Sequence, residues 1–116
     1  MKLYVDKESV IKDIKNVFST EYPFLKIEFY SKPYTEDSFR KKEPLPGNLT
    51  LQQAIKAKRK GEININNSRT IADLEKELAA LGLFAEVFRR SGNVWVETSL
   101  TREWTLQQQN LEGEEQ

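Results

Sequence analysis

The sequence predicts an α+β domain made of two similar β-α-β halves, arranged as a ferredoxin-like two-layer sandwich with an extra C-terminal hairpin strand. Three observations predict it. Strand-like alternation flanks a helical apolar stripe twice along the chain. The two occurrences overlay when the chain is shifted by 60 residues. The length of 116 residues, with 38% hydrophobic content, supplies apolar material for one core and not for two.

The elements follow in order. Lys2-Leu3-Tyr4-Val5 alternates as a short strand. Val10, Ile11, Ile14, Val17 and Phe18 recur at helical spacing, and that helix must stop before Pro23. Leu25, Ile27 and Phe29 alternate with Lys26, Glu28 and Tyr30, as in a strand with one buried face. Residues 31–48 read as a loop rich in proline and charge. A short helix is expected from Leu49 to about Lys60, ended by Gly61. Glu62 to Asn66 alternates as a strand. Thr70 and Asp73 resemble a capping box, and Ile71, Leu74, Leu78 and Leu81 form the next helical stripe. Gly82 suits the left-handed helix end. Leu83 to Arg89 and Val94 to Thr98 form a hairpin around Ser91-Gly92-Asn93.

The shift by 60 places Leu3 and Val5 on Ile63 and Ile65, Ile11, Ile14 and Phe18 on Ile71, Leu74 and Leu78, and Ile27 on Val87. After a slip of five, Leu49-Thr50-Leu51-Gln52-Gln53 falls on Trp104-Thr105-Leu106-Gln107-Gln108. One β-α-β unit leaves apolar surface uncovered, whereas two packed together cover it. With right-handed crossovers, both helices are expected on one face of a common sheet. The expected domain spans 1–106, with halves of about 2–54 and 62–109; residues 107–116 are expected to be a polar, frayed tail.

The stretch Phe88-Arg89-Arg90-Ser91-Gly92-Asn93-Val94-Trp95-Val96-Glu97-Thr98 and the later Trp104-Thr105-Leu106-Gln107-Gln108-Gln109-Asn110 resemble a group of short uncharacterised bacterial proteins, mainly of Bacteroidetes type. Tyr22-Pro23-Phe24-Leu25-Lys26-Ile27-Glu28-Phe29 carries the same likeness, which covers nearly the whole chain. That group has no established activity, so the resemblance implies no catalytic residues.

Composition removes several chemistries. Without Cys there is no disulfide, no thiolate nucleophile and no sulfur-ligated zinc. Without His the usual general base and the commonest metal ligand are missing, and Ser-His-Asp and Cys-His catalysis cannot occur. No cofactor is expected. No apolar run approaches the roughly 20 residues of a membrane helix, so no membrane role is expected, and a cytoplasmic location follows by default. Net charge is zero but uneven: residues 1–61 carry 13 basic and 8 acidic side chains, residues 62–116 carry 5 and 10. Solvated charged faces account for such a split as well as opposed partners do.

Three constellations remain. Phe88, Arg89, Arg90, Trp95 and Trp104 form a candidate interface, since Trp and Arg concentrate binding energy. Trp95 is expected to face out beside Arg89 in a cation–π pair, or else to lie under a C-terminal segment plugged by Trp104. Arg40, Lys41, Lys42, Lys56, Lys58, Arg59 and Lys60, with Tyr30, Tyr34 and Phe39 near in sequence, are a candidate nucleic-acid surface. The RNP1 pattern is absent and overall charge is zero, so the expectation runs against nucleic acid. Asp13, Asp73, Glu75 and Glu77 offer carboxylates, but helix capping and the helix dipole already explain acids in a first turn. The reading is a non-catalytic protein-interaction module with an unidentified protein partner, self-associating as a homodimer through the final hairpin; the alternative is a nucleic-acid-associated protein using segment 40–60. The final strand has no Lys and no Pro to blunt its edge, and Glu97 is its only charge.

Overall fold

A computed structural model describes residues 2–31, 43–55 and 60–115 of the chain. Its order is β1 (Lys2–Val5), α1 (Ile11–Glu21), β2 (Leu25–Tyr30), α2 (Leu51–Ile55), β3 (Gly61–Asn64), α3 (Ile71–Ala80), β4 (Phe84–Ser91), β5 (Val94–Glu97), a 3-10 turn at Ser99–Thr101, and α4 (Leu106–Glu115). The fold is α+β, with four helices and two antiparallel sheets among the described residues.

The sheets are the main departure from the expected sandwich. A ferredoxin-like arrangement would hold all four repeat strands in one sheet. Here β1 pairs only with β3, and β2-β4-β5 form a separate sheet. Each strand therefore meets its own counterpart from the other half. The registers centre on such pairs: Leu3 lies opposite Ile63, and Ile27 opposite Val87. Alternation in the sequence reveals which face of a strand is buried, but it is silent on which strand lies alongside.

Both sheets, α1 and α3 enclose one core. Ile11, Ile14 and Phe18 of α1 and Ile71, Leu74 and Leu78 of α3 are buried with Leu3, Val5, Ile63, Ile65, Leu25, Ile27, Phe29 and Val87 in a single cluster. The helix starts are fastened alike. The first amides of α1, at Ile11 and Lys12, donate to Leu49 O and Gly47 O; those of α3, at Ile71 and Ala72, donate to Trp104 O and Arg102 O. These are helix donors that have no intrahelical acceptor. The return contacts also match: Leu51 N bonds Ser9 O where Leu106 N bonds Arg69 O, and Gln52 N bonds Lys7 O where Gln107 N bonds Asn67 O. The repeated Thr-Leu-Gln-Gln has a structural meaning. Thr50 and Gln53 form a reciprocal capping box, as do Thr105 and Gln108.

Local expectations at α3 hold. Thr70 Oγ1 accepts from Asp73 N, and Gly82 ends the segment at φ +84°. The segment before the C-terminus is helical. Residues 107–115, expected as a loose polar tail, lie in α4, where Gln109 is 0% exposed and Gly113 is also buried. Two features hold the helix down. Asn110 Oδ1 accepts from Phe24 N at 2.9 Å. A Cβ on Gly113 would lie 2.9 Å from the Phe24 Cβ, so only glycine permits this approach. Composition marks the segment as polar; the side chains of Gln108, Gln109 and Asn110 are paired, which composition does not reveal.

Candidate functional site

The hairpin β4–β5 turns at Gly92-Asn93, with Gly92 at φ +60° and Ser91 paired to Val94. Its register sets Phe88 opposite Glu97, Arg89 opposite Val96 and Arg90 opposite Trp95. Successive strand residues alternate between faces. The five candidate interface residues therefore divide. Phe88, Arg90 and Trp95 share one face, while Arg89 looks to the other, toward Trp104 and α4.

On the first face, Lys26 is the residue that sequence reasoning missed. It sits opposite Phe88 on β2, and its Nζ lies 5.3 Å from both the Phe88 and the Trp95 ring centroids. The expected Arg89–Trp95 pair is thus replaced by Lys26–Trp95. The reason is parity: Arg89 and Trp95 lie on opposite faces of the sheet, whereas Lys26, Phe88 and Trp95 share one. The signal was present in the alternation of Lys26 with the buried stripe, but it needed the β2–β4 pairing to become readable. Further along this face, Glu28 lies opposite Glu86, and Lys15 of α1 reaches Glu28 at 2.8 Å. Burial, with the nearby Glu86, Glu28 and Glu97 carboxylates, pushes the Tyr30 hydroxyl well above its ordinary range.

On the second face, Arg89 Cζ lies 5.6 Å from the Trp104 ring centroid. Its Nη1 donates to Gln109 Oε1 at 2.7 Å. Gln109 Nε2 in turn donates to Thr101 O and Oγ1. Trp104 is therefore no plug over Trp95. The segment that carries it docks on the start of α3, through the Arg102 and Trp104 carbonyls and an Arg102–Glu75 ion pair at 2.9 Å. Both tryptophans remain 39% exposed.

The two edges of the three-stranded sheet differ. On β2, Leu25 O accepts from Ser19 Oγ of α1, and Phe29 O accepts from Leu45 N. On the opposite side β5 ends the sheet, with no strand beyond it among the described residues. Arg90 N donates to Phe24 O on the β2 side, so the Arg90–Trp95 pair is a non-hydrogen-bonded one, and the Trp95 and Glu97 backbone groups point outward. Just past the strand, Thr98 Oγ1 takes over the bond to Val87 O at 2.7 Å.

Of the basic candidates, Arg40, Lys41, Lys42, Lys56, Lys58 and Arg59 lie outside the described residues, and Lys60 is exposed just before β3. Asp13 and Asp73 occupy equivalent first turns of α1 and α3, on separate helices. Among the described residues no three His, Cys, Asp or Glu side chains gather to hold a metal ion, and no helix is long and apolar enough to cross a membrane. Comparison with known proteins returns no match: no family model fits the chain, and no curated protein or solved structure matches it.

Proposed function

We propose that the protein is a non-catalytic protein-interaction module that works through its final hairpin and the segment after it, carried on a duplicated β-α-β scaffold. One observation carries the reading. Of seven exposed large hydrophobic side chains among the described residues, four fall within eleven residues: Val94 (59%), Trp95 (39%), Leu100 (99%) and Trp104 (39%). Scattered exposed apolar residues need no explanation, but a local concentration marks a contact surface. A cation lies on each tryptophan ring, Lys26 on Trp95 at one face of the hairpin and Arg89 on Trp104 at the other, so each face offers apolar area together with directional charge, as binding hot spots do.

The chemistry of the chain supports the non-catalytic part. Histidine and cysteine are absent, and Tyr22 and Tyr30, whose hydroxyls are displaced among the described residues, are kept protonated by burial. The matched helix fastenings and capping boxes support the duplication. The test is capture of partners from the native host by immobilised chain. Trp95→Ala should lose the captured proteins, while Tyr4→Ala, exposed on the other sheet, should retain them. An unchanged set with Trp95→Ala would overturn the assignment.

A further inference from the structure

Resting on that reading, we infer that the open edge of β5 is completed by β5 of a second copy, running antiparallel about a twofold axis at Val96. Edge parity fixes the register. The outward-pointing residues of β5 are Trp95 and Glu97, because Arg90 turns its amide to Phe24. Placing Val96 opposite its own copy sets Trp95 opposite Glu97 of the second chain, and Glu97 opposite the second Trp95. Every outward backbone donor and acceptor of the strand is then used. Pairing Trp95 with itself would leave Glu97 opposite the turn residue Asn93. Pairing Glu97 with itself would set like charges directly opposite, which is destabilising.

Charge favours the same register. Lys26 Nζ lies 5.3 Å from the Trp95 ring. In this pairing the carboxylate of the second copy's Glu97 arrives beside that ring and meets the cation. The twofold arrangement makes the contact twice with one surface patch, as an isologous interface requires. It joins the two three-stranded sheets into one and leaves no open β5 edge, the hazard that natural sheets avoid. The other edge needs no such cover, because Ser19 and Leu45 already occupy it.

The chain contains no cysteine, which makes the experiment clean. A non-hydrogen-bonded antiparallel pair sets its Cα atoms about 4.5 Å apart, within the roughly 4.4–6.8 Å span of a disulfide. Val96→Cys in the full chain should give a covalent dimer under mild oxidation, while Tyr4→Cys, exposed on the other sheet, should form no covalent dimer. Light scattering on the unmodified chain at micromolar concentration should give twice 13.5 kDa. Glu97→Pro removes an outward donor that β4 does not use; it should return the mass to one copy with the circular dichroism of the folded chain. Val96→Lys provides the same readout without touching the backbone. Efficient cross-linking through Trp95→Cys or Glu97→Cys, with none through Val96→Cys, would overturn the register. A monomeric mass for the unmodified chain would overturn the dimer. If Trp95→Ala then still loses captured proteins, the interaction surface stands and only its occupant is wrong.

Discussion

The two halves of the molecule solve one packing problem in two ways. At the shifts that overlay them, Leu49, Phe29 and Ala54 of the first half correspond to Trp104, Arg89 and Gln109 of the second. In the first half the site is apolar: Phe29 is fully buried, with Ala54 packed against the core. In the second half the same place holds a guanidinium between an indole and an amide. Backbone hydrogen bonds around both sites are alike. The scaffold therefore does not require the polar set. Its presence coincides with the exposed tryptophans and with the added strand β5, which has no counterpart in the described part of the first half. The second half departs from the first where the proposed contact surface lies.

Core equivalence gives the largest effect. Ile14 and Leu74 are counterparts, and both are buried in the shared cluster. Ile14→Ala and Leu74→Ala should each cost about 2–5 kcal/mol by chemical denaturation, as large-to-small core changes do. Nearly equal losses would support a truly shared core. A loss below 1 kcal/mol at one of them would show that the halves do not bear on each other equally.

The polar set gives the next effect. Gln109→Ala strands the Arg89 guanidinium and should cost about 1–3 kcal/mol. The transplant Arg89→Phe, Trp104→Leu, Gln109→Ala copies the first half's apolar solution. Replacing both partners of a buried polar contact by apolar groups is often close to neutral, and Arg89 Nε already lies buried without a hydrogen bond among the described residues. The triple variant should therefore recover most of the single variant's loss. Failure to recover would mean that the twin sites differ in shape as well as in chemistry.

Alkaline titration probes a third difference. Tyr22 corresponds to Gly82, which ends its segment by backbone conformation alone. Tyr22 instead crosses to the second half, where its hydroxyl shares its one proton between Ile65 O and Asn67 Oδ1. Burial, with Glu21 beside it, pushes this hydroxyl up to about 12 from an ordinary 10.0. Below pH 10 both folded and unfolded chains hold the proton. Above it the unfolded chain ionises first, so stability should fall from about pH 10 toward 12. Tyr30, raised in the same direction, adds to the slope. Tyr22→Phe should make the fall shallower and, at neutral pH, cost about 1 kcal/mol for the lost hydrogen bonds. An unchanged slope would place the alkaline transition elsewhere.

Much of the fold was legible because local rules govern it. Thr70, Gly82 and the hairpin turn carry their chemistry in one or two residues. The stripes Ile11-Ile14-Phe18 and Ile71-Leu74-Leu78 have a period that only helices satisfy. What was not legible depends on pairing across the chain. Lys26 reads as an ordinary outward strand residue until β4 is laid beside it. Gln109 and Gly113 look like a frayed tail until Arg89 and Phe24 supply their contacts. The single expected sheet failed for the same reason, since period two describes a strand and not its neighbour.

The smallest effect lies at the helix starts, and it has the opposite sign. Val10 and Thr70 hold the same position before α1 and α3, both in extended conformation. Thr70 Oγ1 accepts from Asp73 N at 3.1 Å, while Val10 has no side-chain acceptor and Asp13 N donates to its carbonyl oxygen at 3.0 Å. Removing a hydroxyl cap costs about 0.5–2 kcal/mol, so Thr70→Val should destabilise the chain. The reverse copy, Val10→Thr, is close in shape and adds a side-chain acceptor beside the carbonyl that Asp13 N already uses, which keeps the gain small. Val10 is only partly buried, so the hydroxyl need not lose all its water. The expected gain is about 0.5 kcal/mol, at the low end of the capping range. In the double exchange, Val10→Thr with Thr70→Val, the two effects should largely cancel, because Val10 bridges to Thr50 and Thr70 to Thr105, so the two sites have different partners. A measured loss with Val10→Thr would mean that the valine methyl groups contribute more to the α1 start than a cap does, and that the halves diverge even at this most local level.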